Sequence, residues 1–109
     1  MFEDINPIYR KTDEELLKII GSNLRKRRIS ANLTQHELAA ATGISKDRIS
    51  QIELTGRTSL ASLVAISRRL GLLPQLLSVY ETPELTPMQI YEMERKGTAA
   101  KHERQRVKK

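Results

Sequence analysis

The sequence predicts an all-α fold, and three observations carry that prediction. No run of β-branched residues alternates with polar ones, and neither Asn-Gly nor Asp-Gly occurs, so strands and tight hairpins have no signature. Ser or Thr stands repeatedly just ahead of a helix-forming stretch, in several places with Glu or Gln three residues on. Behind each such start the apolar residues recur every three or four positions, which places them on one side of a helix.

Taken in order, residues 1–11 read as a flexible arm whose Phe2, Ile5, Ile8 and Tyr9 offer apolar contacts. Thr12-Asp13-Glu14-Glu15 is a capping box, a hydroxyl for the free amides and a glutamate to answer it. It opens a helix with Leu16, Leu17, Ile20 and Leu24 on one side and an end near Asn32. Thr34-Gln35-His36-Glu37 is a second capping box, opening a short helix to about Thr42. Ser45 caps a third that reaches about Glu53, and Thr55-Gly56-Arg57-Thr58 is a turn. Ser59 caps a fourth, with Leu60, Leu63, Val64, Ile66 and Leu70 turned inward and Gly71 at its end. Pro74 sits where a fifth helix can begin, because proline lacks only an amide that is unpaired there. That helix carries Leu76, Leu77, Val79 and Tyr80.

Pro83 and Pro87 then bracket an extended link within 81–97, where Thr86, Pro87 and Gln89 signal a short helix closed by Gly97. Residues 98–109 have the composition of a disordered basic tail, with five Lys/Arg against one Glu. There is no internal repeat.

At 109 residues the chain makes one small domain with tails. Without cysteine there is no disulfide framework and no thiolate metal site, and His36 and His102 do not stand at ligand spacing. No metal or cofactor is expected. No nucleophile–base set and no phosphate-binding loop occurs, so an enzyme is not expected either. The absence of a long apolar run and of a signal-peptide core points to a soluble, cytoplasmic protein with no membrane partner. The net charge is +6, concentrated in the tail and in Arg25-Lys26-Arg27-Arg28. A basic excess on a small domain points toward a polyanion, most often nucleic acid. Charge alone leaves Arg25, Lys26 and Arg27 divided between phosphate approach and plain solvation.

The informative stretch is "LAAATGISKDRISQIE", residues 38–53. Two helices joined by a three-residue turn must cross closely, which asks for a small side chain at Ala39. The turn asks for a residue at ease with positive φ, which is Gly43. Ile49 and Ile52 lock the second helix onto the first, with Leu38 and Ile44 as further anchors. This is the pattern of a DNA-binding helix-turn-helix. At about 100° per residue, Lys46, Asp47, Ser50 and Gln51 then face outward as a compact polar edge. Such an edge fits the major groove, where amide and charged groups match base donors and acceptors. Asp47 is the odd member: phosphates repel it, leaving it to accept from cytosine or to brace Lys46 or Gln51.

Over residues 20–71 the chain resembles the Cro/lambda-repressor (XRE-type) helix-turn-helix family, through "LTQHELAAATGISKDRISQIE" and "SLASLVAISRRLG". The resemblance implies a five-helix lambda-repressor-like DNA-binding domain over 12–80. It implies that Gln35 touches phosphate and braces the reading helix, and that Ser45, Lys46, Asp47, Ser50 and Gln51 read bases. Arg28 is expected to pair with Glu53. In the loop "LTGRT", about a residue shorter than is common, Arg57 is the candidate for phosphate contact. Family members bind symmetric operators as dimers, so part of Leu76, Leu77, Val79 and Tyr80 is expected to bury in a homodimer.

The segment "ETPELTPMQIYEMERKGTAAKHERQRVKK" is similar in layout to the HipB-like antitoxin repressors, which pair with HipA-type kinase toxins. This implies an antitoxin that represses its own operon. Alternatives are a phage-type or restriction-modification controller repressor, or an adaptor that uses the same fold to bind protein.

Overall fold

The computed structural model describes residues 6–107, with side chains through residue 97. Phe2 and Ile5, read above as contacts of the arm, lie outside the described residues. Among those described, six α-helices and one short 3-10 turn occur and no strand. The helices are α1 (Asp13–Ser30), α2 (Gln35–Thr42), α3 (Lys46–Thr55), α4 (Leu60–Arg69), α5 (Leu73–Ser78) and α6 (Pro87–Val107). The chain divides into two units, one ending at Val79 and the other beginning at Tyr80.

Within the first unit, Pro7–Arg10 form the 3-10 turn, started by the Asn6 side chain accepting from the Ile8 amide at 3.0 Å. Ile8 and Tyr9 stay exposed. The arm is therefore turned at its end and does not dock these two residues.

Both capping boxes form. The Thr12 hydroxyl accepts from the Glu15 amide at 3.1 Å while Glu15 accepts from the Thr12 amide at 2.9 Å. Thr34 and Glu37 repeat the arrangement at 3.0 and 2.9 Å. The backbone amide of the cap, then its hydroxyl, holds each glutamate below the ordinary value of 4.5. Ser45 and Ser59 cap α3 and α4 by accepting from the amides of Arg48 and Ser62.

These helices enclose Leu24, Leu38, Ile49, Ile52 and Ile66, with Leu33, Ala39, Ile44, Leu63 and Leu70 packed around them. Leu60, read as inward, is instead exposed. It opens α4 a full turn ahead of Leu63, the first residue of that helix to reach the core.

The tightest approach in the unit is between α1 and the end of α3. A Cβ on Gly21 would lie 2.6 Å from the Ile52 carbonyl oxygen and 2.8 Å from that of Glu53. Gly56, at φ +72, meets the Leu17 backbone in the same way. The need for room without a side chain thus falls on α1 and on the end of α3.

In the second unit the C-terminal helix is much longer than its start signals suggest. Gly97 keeps a negative φ and does not close it, and the backbone stays helical to Val107. Gly97 as the end of this helix is thereby corrected. Interior glycine weakens a helix by only about 1 kcal/mol, and Ala99, Ala100, Glu103, Gln105 and Arg106 all favour helix. Among the described residues no helix is long and apolar enough to cross a membrane.

Candidate nucleic-acid interface

The site begins with the turn between α2 and α3. Gly43 closes α2 at φ +76, its amide donating to the Ala39 carbonyl at 2.9 Å. Nothing lies within 4 Å of where its Cβ would be, so glycine is needed there for backbone conformation alone. Thr42 turns its hydroxyl back to the Leu38 carbonyl at 2.8 Å. Ile44 packs on the core, and Ser45 starts α3 directly.

α3 is held by its apolar side, with Ile49 and Ile52 each 1 % exposed. Rotation about the helix then decides the opposite side: Lys46, Asp47 and Gln51 are exposed and Ser50 is half-buried. Ser45 is exposed at the helix start, its hydroxyl occupied as the cap. Asp47 stands in the first turn, where the helix dipole favours a carboxylate.

Beside its apolar side, α3 is also held by a buried polar cluster. Arg28 donates through Nε to Glu53 Oε2 at 2.7 Å and through Nη2 to Oε1 at 3.1 Å. Its Nη1 donates to the Leu33 carbonyl at 2.7 Å, just before α2. Gln35 Nε2 donates to Glu53 Oε1 at 3.1 Å. Through this one carboxylate α3 is fastened to both α1 and α2. The Gln35 amide has a second N–H, the kind of donor a phosphate oxygen accepts from.

At the last residue of α3, Thr55 donates to the Gln51 carbonyl at 2.8 Å and accepts from the Arg57 amide at 3.2 Å. Arg57 is exposed beyond that turn.

Two residues of α3 were passed over in the sequence. Arg48 is exposed at the flank of the polar side. Its signal was a cation directly after the outward Asp47, masked by its angular position next to the buried Ile52. Leu54 is 66 % exposed and shares the outward side, although its apolar character suggested the core.

A helix-turn-helix whose second helix is gripped from behind and bare along a polar front is a DNA-binding unit, and the chain falls in the class of DNA-binding transcription regulators. Residues 24–77, from the middle of α1 into α5, match the model of the Helix-turn-helix family, which supports an XRE-type, Cro/lambda-repressor likeness for that segment. Comparison with curated proteins and with solved structures gave no match.

Proposed function

We propose that the protein is a sequence-specific transcriptional repressor acting as a homodimer on a two-fold operator. Lys46 suits guanine O6 and N7, Gln51 suits adenine N6 and N7, and Ser50 either purine, while Asp47 accepts from cytosine N4. Ser45 joins these base readers at the start of α3, while Gln35 and Arg57 border the surface and approach phosphates, which position the protein without reading sequence. The observation that carries the reading is the bare polar side of α3 opposite Ile49 and Ile52, both fully buried. Leu77 and Val79, exposed at and just past the end of α5, supply apolar surface for a two-fold partner. Half-sites would then lie about 34 Å apart or a multiple of that.

The test is duplex selection from a random pool followed by binding of Gln51→Ala. A loss of about 1–3 kcal/mol confined to one base position supports base reading. Equal affinity for every duplex would replace the repressor by a protein-binding adaptor.

Within this class the narrower reading is the antitoxin and autoregulator of a HipA-type kinase operon. It rests on the layout of residues 81–109, and Met88, Ile90, Tyr91 and Met93, exposed around the first turns of α6, support it as apolar groups open to a protein partner. Co-expression with the neighbouring reading frame tests it. A kinase-like product that co-purifies and loses activity in the complex supports it, whereas a phage or methyltransferase neighbourhood transfers the chain to the controller repressors.

A further inference from the structure

We infer that Leu54 reads a thymine through its 5-methyl group, adding an apolar contact to a surface otherwise made of polar ones. The inference rests on the DNA-reading proposal above. Taking about 100° per residue, the outward directions of α3 run in the order Lys46, Ser50, Leu54, Asp47, Gln51. Leu54 therefore lies in the middle of the polar side, not at its margin. It is 66 % exposed, whereas the two isoleucines of the same helix are 1 % exposed.

The helix is regular beneath it. α3 runs to Thr55, whose hydroxyl donates back to the Gln51 carbonyl at 2.8 Å, and Gly56 closes it with an amide bonded to the Ile52 carbonyl at 2.8 Å. Gly56 is in turn seated against the Leu17 backbone. The direction of Leu54 is thus fixed by the packing of α1 on α3 and does not depend on a loose end.

A base-facing surface offers a leucine one complementary feature. Among the base edges of the major groove only thymine carries an aliphatic group, its 5-methyl, and every other feature is a donor or an acceptor. An exposed leucine placed against those polar edges would desolvate them without a hydrogen bond. Against the methyl it removes apolar surface on both sides from water. Leu54 stands about 12 Å along the axis from Lys46, so the thymine belongs to a base pair other than the one under Lys46.

The experiment uses the full chain and the duplex it selects from a random pool, resynthesised with deoxyuridine in place of each thymine in turn. This deletes one methyl and leaves every hydrogen-bonding group unchanged. The expected result is one thymine per half-site at which the change weakens wild-type binding about four-fold, the transfer value of a single methyl. At that position Leu54→Ala binds thymine and uracil duplexes equally, and Leu54→Met retains the difference. Because residue 54 is exposed, both variants should melt as wild type does. A site whose methyl effects are all unchanged in Leu54→Ala, or which shows none, overturns the inference and leaves the DNA-reading proposal standing. Failure to select any duplex overturns both.

Discussion

Arg28 and Glu53, 25 residues apart, meet in a two-pronged ion pair at 2.7 and 3.1 Å whose side chains are 10 % and 5 % exposed. The same carboxylate takes the Gln35 amide, so one buried acid ties α3 to both helices before it.

Removing one partner of this pair leaves the other charge buried and uncompensated. Arg28→Ala or Glu53→Ala should therefore destabilise folding by about 3–5 kcal/mol, measured by urea denaturation. Replacing both with apolar residues, Arg28→Met with Glu53→Leu, should destabilise by less than the two single changes together. Additive losses would mean that the two side chains are not coupled.

Three glycines of the first unit should respond differently to alanine. At Gly43 only the positive φ opposes a side chain, so Gly43→Ala should destabilise by about 1–2 kcal/mol. At Gly21 the φ is ordinary but backbone oxygens stand 2.6 and 2.8 Å from the added Cβ, so the two helices must part. Overpacking of this kind destabilises by about 1–3 kcal/mol. Gly56 combines both faults and should be the worst of the three. Thermal melts of the three variants check this order.

The two capping glutamates give the stability a predictable acid limb. Both are held below 4.5, first by the cap amide they accept from, so each binds protons less readily folded than unfolded. The unfolded chain takes up more protons as the pH falls, and stability therefore declines through and below 4.5. Glu15→Gln with Glu37→Gln keeps an acceptor for each amide but removes the titration. Its stability between pH 6 and pH 3 should fall less steeply than that of wild type, as followed by denaturant titration at each pH.

Local chemistry made much of this architecture legible. Caps are short-range devices: Thr12 with Glu15, Thr34 with Glu37, Ser45 and Ser59 announce helix starts within four residues. Gly43 was legible for the same reason, since the demand for positive φ arises inside one turn. The seating of Gly21 and Gly56 was not, because a close helix approach depends on partners more than thirty residues away. Leu60 and Leu54 were misjudged or passed over because periodicity gives a direction and not whether anything stands there. The length of α6 was hidden by Gly97, which reads as a stop but carries only a small helix penalty when alanines follow it. The Arg28–Glu53 pair was legible through family resemblance alone, since neither residue type announces burial.

Salt dependence separates the residues proposed to hold phosphate from those proposed to read bases. Each phosphate neutralised by a cation releases condensed counterions, so log affinity falls with log salt at a slope of about −0.9 per contact on duplex DNA. Arg57, exposed beyond the end of α3, is the cation proposed for such a contact. Arg57→Ala should weaken binding to every duplex alike and make the slope shallower by about 0.9 per protomer. Gln51→Ala removes an uncharged amide, so it should leave the slope unchanged while altering preference at one base position. The measurement is fluorescence anisotropy from 50 to 300 mM salt, with the selected duplex and a scrambled one. A sequence-dependent loss in Arg57→Ala would make that side chain a base reader, and an unchanged slope would remove it from the interface.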